Sequence, residues 1–404
     1  MSLAPIVATP RRDSYDVVII GGAMIGSSSA WFLSAHADFA GSVLVVERDP
    51  NYERASTSHT NSCTRLQFSN EINVRISQFN AEFLRNFREN LGGDPDIPEI
   101  TLHEFGYMFL ADTESGAQVL RENQEVQAAC GAATRLMTPD QIAAEYPFYN
   151  LDGVVLGSHN PRDEGYFDGN TMFQWWRRKA RENGVEYVSN EAVSIGRTGD
   201  RVESVTLASG ETVKAGIVVN ASGPRAALTA RMAGLDIPVE PRRRYTYIFT
   251  PEKPLEKDLP LTIDPVGVTM RTDGANYMCG CPPDDDPAVD PTDFAMDHSV
   301  WEEKVWPTIA NRVPAFEAVK VLNSWIGHYA FNVLDQNAVI GPHTEVRNFL
   351  FVNGFSGHGF QQSAAMGRGV SELVTHGAFQ TLDLSPLGYE RVADGKPFLE
   401  KAVI

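Results

Sequence analysis

The chain has 404 residues, of which 43% are hydrophobic and 21% are charged, and its formal net charge is −18 at pH 7. A chain of this length is too long for one ordinary hydrophobic core, so we expect two domains. The negative charge argues against nucleic acid or an anionic membrane surface as a partner, because both would repel the chain. No apolar run approaches the roughly 18 residues of a membrane-spanning helix, and the N-terminus shows no secretory signal.

The cysteine content indicates a reduced setting and no metal site. Four cysteines (Cys63, Cys130, Cys279 and Cys281) are too few for a disulfide-based fold of this size, so a cytoplasmic compartment is expected. Cys279 and Cys281 lie on one predicted strand, and we place their thiols on opposite faces. No other cysteine or histidine pair lies near them at ligand spacing, so the sequence predicts no metal ion.

The N-terminal region has the pattern of a βαβ unit that binds the ADP part of a dinucleotide. An apolar strand runs into a glycine-rich turn, a helix of small residues follows, and a second apolar strand ends in an acid; these segments are 17–20, 21–26, 27–35 and 43–47. The start of such a helix binds pyrophosphate through free N–H groups. Glu47 can accept hydrogen bonds from both ribose hydroxyls.

One position departs from the usual G-x-G-x-x-G spacing of this unit. Its middle glycine is Ala23, whose methyl group lies where the backbone must approach pyrophosphate. A buried strand, turn and helix without any nucleotide is therefore the alternative interpretation. Glu47, which lies about 20 residues after Gly26 as the ribose-binding acid of such a unit does, favours the nucleotide site.

Further along the chain, hydrophobic periodicity predicts alternating helices and strands. Helices are expected at 72–92, 115–130, 170–183 and 360–376, and strands at 104–111, 185–189, 203–207, 215–220 and 348–353. A hairpin is expected at 265–282, with a turn through 272–275 that contains an Asp-Gly pair. The aspartates at 284–286 are expected to form a solvated turn. Strands of the nucleotide-binding type thus occur at the start, in the middle and near the end, which predicts two domains built from discontinuous segments.

Two later strands end in loops that suit a flavin-type ligand. The strand at 217–220 runs into Ala221, Ser222 and Gly223, whose small side chains let backbone approach a ligand, although an ordinary strand end explains them equally well. The strand at 349–353 runs into a glycine-rich loop that opens a small-residue helix, an anion site that could stabilise a reduced flavin ring. For His358 in this loop, the alternative is a turn residue with a structural hydrogen bond.

A fourth polar segment, 54–65, directly follows the strand that ends in Glu47. It is rich in hydroxyl groups, which can hydrogen-bond pyrophosphate and the polar atoms of a ring. The alternative is that it only caps the helix expected at 72–92.

These four segments, in this order, resemble the D-amino-acid-oxidase superfamily of FAD-dependent oxidoreductases, and within it monomeric sarcosine oxidase and the FAD-dependent oxidoreductase domain-containing proteins. The resemblance covers nearly the whole chain and is most specific at 354–360, 220–223 and 64–69. It implies an α/β fold with a Rossmann-like FAD-binding domain, and an α+β second domain whose antiparallel β-sheet roofs the flavin and binds substrate. The FAD-binding domain would comprise 14–90, 160–235 and 325–390, and the substrate domain 91–159 and 236–324.

Carried over position by position, the resemblance implies a set of residues that hold FAD. They are Gly21, Gly22, Ala23, Met24, Ile25, Gly26, Glu47, Arg48, Ser56, Thr57, Ser58, Asn61, Arg65, Val193, Ala221, Ser222, Gly223, Gly354, Ser356, Gly357, His358, Gly359, Phe360 and Gln361. Val193 looks like the residue whose backbone meets adenine. The catalytic candidates are His328, Tyr329, His358, Arg271 and Tyr245. Arg271 and Arg243, which is not among these candidates, are the best cations available to bind an acidic substrate.

Several positions depart from the superfamily pattern. The cysteine that binds flavin covalently in sarcosine oxidase is replaced by His328, so noncovalent FAD is expected, with a link through His59 as the alternative. The lysine and arginine that hold the substrate carboxylate are replaced by Gln361 and Phe68, which makes simple sarcosine or glycine doubtful. The oxygen-activating lysine has no counterpart after Pro282, which favours a dehydrogenase over an oxidase.

The resemblance implies removal of a hydride from the carbon next to an amine nitrogen, followed by hydrolysis of the imine. The expected partner is a small secondary or tertiary amine or N-substituted amino acid, with an unidentified electron acceptor and a monomeric or small homo-oligomeric protein. Two alternatives stay open: oxidation of a 2-hydroxy acid, and a non-catalytic assembly factor that keeps FAD for its structure.

Overall fold

The computed structural model describes residues 5–402. Its α-helices are α1 Met24–Ala35, α2 Glu71–Arg85, α3 Phe87–Asn90, α4 Glu114–Ala129, α5 Pro139–Glu145, α6 Gly169–Glu182, α7 Ala226–Met232, α8 Trp306–Arg312, α9 Gly359–His376 and α10 Glu390–Ala393. Its strands are β1 Ser14–Ile20, β2 Val43–Glu47, β3 Cys63–Thr64, β4 Tyr107–Ala111, β5 Arg135–Met137, β6 Leu156–Asn160, β7 Gly165–Tyr166, β8 Glu186–Ser189, β9 Ala192–Thr198, β10 Arg201–Leu207, β11 Thr212–Asn220, β12 Val239–Pro251, β13 Leu261–Ile263, β14 Thr269–Asp273, β15 Asn276–Cys281, β16 Val319–Asn332, β17 Val339–Pro342 and β18 Phe349–Asn353. No helix in this range is long and apolar enough to cross a membrane.

The first sheet brings the predicted nucleotide-type strands together. Its main order is β17-β18-β11-β1-β2-β8, and β1 pairs in parallel with both β2 and β11. Because β18 is also parallel to β11, the carboxyl ends of β1, β2, β11 and β18 meet at one edge. The loops that follow these strands are the ones in which the sequence predicted cofactor residues. Ligands of open α/β sheets bind at this edge.

The second sheet is mostly antiparallel and has the order β16-β12-β15-β14-β13-β4-β6-β5. Since successive side chains of a strand point to opposite faces, one face carries Tyr245, Tyr247 and Met270 into a hydrophobic core with Cys279 and Cys281. The other face carries the intervening residues of the same strands toward the first sheet.

The division into two domains stays a prediction. In the structure, β16 belongs wholly to the second sheet, although the predicted boundary at residue 325 falls inside this strand.

Helix α1 packs very closely against its surroundings because small residues line it. A Cβ atom on Gly26 would lie 1.8 Å from the carbonyl oxygen of Gly21. On the side of α9, a Cβ on Gly367 would lie 2.1 Å from the hydroxyl oxygen of Ser28. This packing fixes the first turn of α1 at the sheet edge.

Most predicted elements occur within a few residues of their expected positions, and two local predictions are wrong. The helix expected at 72–92 is interrupted at Asn86. The predicted hairpin is present, with its turn at 274–275 inside the expected 272–275, although its first strand begins only at Thr269. Cys279 and Cys281 share one face of β15, as a period of two requires, and all four cysteines are free.

Candidate cofactor and substrate site

A cavity lies between the carboxyl edge of the first sheet and the second sheet. It is lined by loops after β1, β2, β11 and β18 and by roof residues that include Tyr107, Arg244, Thr246 and Thr269. Of the predicted cofactor residues, the following line it: Gly21, Ala23, Met24, Ile25, Glu47, Arg48, Ser56, Thr57, Asn61, Arg65, Ala221, Ser222, Gly223, Gly357, His358, Gly359, Phe360 and Gln361. The four sequence segments therefore share one cavity.

The remaining predicted cofactor residues, Gly22, Gly26, Ser58, Val193, Gly354 and Ser356, do not line this cavity. Val193 is 48% exposed and does not line the cavity, whereas its neighbour Ala192 does, so the contact of the Val193 backbone with adenine stays a prediction. Ser356 is buried and accepts a hydrogen bond from the backbone N–H of Asn332, so it shapes the loop.

At one end of the cavity, Glu47 supports the turn that precedes α1. Its carboxylate accepts hydrogen bonds from the backbone N–H groups of Gly22 and Asp49, both at 2.8 Å. Burial raises the pKa of Glu47, and these two donors act against that rise. The carboxylate therefore borders the cavity in a fixed orientation, as a ribose-binding acid requires.

Both helices that begin at the cavity lack a side-chain cap. Ala23 and His358 occupy the N-cap positions of α1 and α9, and neither side chain accepts a hydrogen bond from the first turn. In α1, the N–H of Met24 donates to the hydroxyl of Thr57 at 3.2 Å. Helix starts with uncapped N–H groups can donate to the anionic parts of a ligand.

At the other end of the cavity, His358 is held by a buried arginine. Nη2 of Arg65 donates to Nε2 of His358 at 3.0 Å, which places the imidazole proton on Nδ1 because a guanidinium can only donate. Arg65 is 1% exposed, lies on the ring of Phe68, and also donates to the carbonyls of Gln67 and Ala402. Burial, and then Arg65, hold the pKa of His358 well below its usual range, so this histidine is neutral.

Gln361 and Glu164 fix the segment that carries Arg65. The side-chain oxygen of Gln361 accepts from the backbone N–H of Arg65 at 2.9 Å. Glu164 is fully buried and accepts from the N–H groups of Leu66 and Tyr107 and from the side chain and N–H of Gln67. Burial raises the pKa of Glu164 to about 7, against the effect of these hydrogen bonds. Glu164 belongs to no sequence motif, so the sequence alone does not predict its role.

The two candidates on β16, His328 and Tyr329, line the cavity, and His328 is held through one of its ring nitrogens. Its Nε2 donates to the carbonyl oxygen of Asp293 at 2.8 Å, and its ring stacks on Phe294 at 4.3 Å. Burial lowers the pKa of His328, so the imidazole is neutral. The ring of Tyr329 packs against Gly357, where an added Cβ would lie 2.4 Å from the ring; this contact explains the glycine.

The other two catalytic candidates make structural contacts. Arg271 does not line the cavity; it pairs with Asp273 at 2.8 Å and donates to the carbonyl of Asn61 at 3.0 Å. Tyr245 lines the cavity, and its side chain also belongs to the hydrophobic core of the roof sheet. Direct roles of Arg271 and Tyr245 stay predictions, and the contacts of Arg271 do not favour one.

An acidic strap, residues 283–298, closes one side of the cavity. Arginines of β12 hold it: Arg244 pairs with both carboxylate oxygens of Asp286, and Arg243 pairs with Asp293. Pro291 of the strap lines the cavity. The expected solvated turn at 284–286 is thus wrong for Asp286, which is an ion-pair partner.

A possible metal-binding group lies elsewhere. In the described part of the chain, ligand atoms of His36, Asp38 and His376 lie within 4.8 Å of one another, at the carboxyl ends of α1 and α9 and outside the cavity. The sequence-based expectation of no metal ion stays a prediction.

The fold and the cavity define a dinucleotide-binding protein with a second sheet that roofs the cofactor. A family model described as FAD dependent oxidoreductase matches residues 16–373. The chain is 39% identical over 423 residues to FAD-dependent oxidoreductase domain-containing protein 1 of Xenopus laevis, a match that covers 96% of this chain and 85% of that protein. The chain belongs to the D-amino-acid-oxidase (DAO) family of FAD-dependent oxidoreductases.

Two further comparisons are informative. Mitochondrial dimethylglycine dehydrogenase of Rattus norvegicus is 26% identical, over 94% of this chain and 45% of that protein. The crystal structure of L-proline dehydrogenase from P. horikoshii has a TM-score of 0.82 at 26% identity and covers 95% of this chain and 99% of that chain. The FAD cofactor, the α/β fold and the superfamily expected from the sequence are thereby confirmed, whereas the cytoplasmic compartment stays a prediction.

The residues present fit FAD. Glu47 would hold the adenosine ribose, the start of α1 with Thr57 would face the pyrophosphate, and the start of α9 would face the flavin. Asn190, Glu191 and Ala192 line the end of the cavity beside Glu47, where adenine would lie.

Replacing His358 by alanine should slow reduction of the flavin by substrate while FAD stays bound. The change removes one neutral hydrogen-bonding group and leaves the start of α9 in place. We therefore expect the two-electron potential to fall by the equivalent of about 1–2 kcal/mol, or ~20–40 mV. Spectroelectrochemical titration of variant and parent measures this shift. An unchanged potential with unchanged reduction rates would show that His358 is only a turn residue.

Proposed function

We propose that this protein oxidises a secondary or tertiary amine, in particular an N-substituted amino acid, and passes the electrons to an acceptor other than oxygen. The observation that carries the proposal is the continuous cavity, which joins a FAD-binding edge to the roof sheet. When bound, FAD supplies the acceptor for a hydride from the carbon next to nitrogen. The relatives named for proline and for dimethylglycine both act on amino acids with a substituted nitrogen.

The two histidines at the flavin end differ in their capacity to take up a proton. His358 is neutral and its Nε2 lone pair accepts from Arg65, whereas His328 is neutral with Nε2 protonated and keeps the lone pair of Nδ1. An amine that binds in its neutral form needs no base for hydride transfer, since loss of the hydride leaves an iminium ion that water then hydrolyses. Within residues 5–402, no lysine lines the cavity, which supports a dehydrogenase.

The purified protein should be yellow, with one FAD per chain that acid or heat releases. It should oxidise N-substituted amino acids with a dye acceptor and only slowly with oxygen as the sole acceptor. Dye-linked assays and oxygen uptake on the same preparation measure this ratio. Fast oxygen uptake would contradict the dehydrogenase assignment, and flavin that stays with denatured protein would contradict noncovalent binding and point to His59, which lines the cavity.

A further inference from the structure

Arg244 lies on β12 of the second sheet, and only part of its guanidinium group makes hydrogen bonds. Nη1 and Nη2 donate to the two carboxylate oxygens of Asp286 at 2.9 and 3.1 Å, and Nη1 also donates to the carbonyl of Arg243 at 2.6 Å. These bonds occupy the end of the group. The edge formed by Nε–H and the second Nη2–H is left, and Nε is buried without a hydrogen-bond partner.

Within residues 5–402, Arg244 is distinguished by having both a buried Nε without a partner and a place in the cavity wall. Five arginines have a buried Nε that lacks a partner: Arg177, Arg242, Arg243, Arg244 and Arg271. Of these, Arg244 alone lines the cavity.

The other cations that line the cavity are already engaged or lie elsewhere. Both Nη atoms of Arg65 donate to acceptors of the protein. Arg48 and Arg225 pair with Glu191 at the adenosine end, and Arg54 is exposed. Arg244 therefore offers a free donor edge that these groups do not match.

The position of Arg244 places that edge near the flavin end. Its guanidinium carbon lies 4.5 Å from the centre of the Tyr329 ring, and Cε2 of the same ring would lie 2.4 Å from a Cβ on Gly357. Tyr329 thus lies against both Arg244 and the loop that carries His358. Asp286 holds the guanidinium from its far end and fixes its orientation.

We propose that Arg244 binds the carboxylate of the amino-acid substrate through its Nε–H and Nη2–H edge. Two parallel N–H donors match the two oxygens of a carboxylate, and a buried site strengthens such a pair. The inference rests on the proposed function and narrows it: the substrate is an amine that carries a carboxylate next to its reacting carbon, and plain amines bind poorly.

The test uses the FAD-loaded protein and carboxylates that cannot be oxidised, acetate and pyrrole-2-carboxylate. Their binding is followed by the change in flavin absorbance, which needs no turnover. We expect dissociation constants to rise ~10–100-fold in R244Q and in R244K, because lysine cannot offer a paired donor edge. The control is R242Q, which removes the same charge from the same face of β12. Arg242 pairs with Glu240 at 2.6 Å, approaches Asp286 only at 4.0 Å and does not line the cavity. The R242Q variant should bind both carboxylates with the same dissociation constants as the parent.

FAD content and circular dichroism establish that each variant is folded, and R244K keeps the positive charge. Equal binding in the parent and both Arg244 variants would overturn the inference, as would a parent whose flavin responds to neither carboxylate. Carboxylate binding that depends on Arg244, in a protein whose flavin no amine reduces, would support the role of Arg244 and reject amine oxidation.

Discussion

Replacing Glu47 by alanine should weaken the binding of FAD far more than that of FMN. The carboxylate borders the adenosine end of the cavity, and FMN lacks adenosine. Losing a pair of charge-assisted hydrogen bonds should cost about 2–4 kcal/mol, which corresponds to a ~30–1000-fold rise in the dissociation constant for FAD. Titration of apoprotein with each flavin, followed by fluorescence quenching, measures both constants.

The variant Glu47→Gln is the matched comparison for this change. It keeps the shape and one acceptor oxygen toward Gly22 or Asp49, so its loss of FAD affinity should lie between parent and alanine. If FAD and FMN lose affinity equally in the alanine variant, Glu47 acts on the loop as a whole and not on the ribose.

Replacing Glu164 by alanine should destabilise the fold by about 3–5 kcal/mol. The change leaves buried donors of Leu66, Gln67, Tyr107 and Asn160 without an acceptor and opens a cavity. Urea unfolding of the FAD-loaded protein measures the loss. Glu145→Ala is the control, because the pair of Glu145 with Arg135 is partly exposed and should contribute no more than about 1 kcal/mol.

The pH dependence gives this prediction a second readout. The pKa of Glu164 is about 7 in the folded protein and 4.5 in the unfolded chain, so unfolding releases a proton between these values. The contribution of Glu164 is then complete below the unfolded pKa and declines as pH rises through the folded pKa. The destabilisation by Glu164→Ala should therefore be larger near about pH 5 than near about pH 8. If the loss of stability in Glu164→Ala grew as the pH rises, it would contradict a raised pKa of Glu164 in the folded protein.

The cofactor half of the site could be predicted because its signals are local. The turn from Gly21 to Gly26, the acid at Glu47 and the loop around His358 each lie within a few residues of a strand end. Parallel pairing of β1, β2, β11 and β18 then brings those strand ends to one edge. The residue types and their spacing carry this information without any long-range contact.

The roof half could not be predicted, because it depends on which face of each strand meets the cavity. The sequence pointed to Tyr245 and Arg243, whereas the structure turns Tyr245 into the core and brings Arg244 to the cavity. A one-residue change of register exchanges the two faces of a strand, so the choice between Arg243 and Arg244 could not be made from periodicity. The motif-free Glu164 contacts Leu66 across 98 positions of the chain, a distance that periodicity cannot span.

Anaerobic titration of the purified yellow protein tests the central claim most directly. The flavin absorbance is recorded while N-substituted amino acids, their plain-amine counterparts and 2-hydroxy acids are added in separate experiments. The account predicts that an N-substituted amino acid bleaches the flavin, that its plain-amine counterpart does so only at much higher concentration, and that hydroxy acids leave it oxidised. Bleaching by a hydroxy acid alone, or by no compound of the panel, would contradict the proposed amine oxidation.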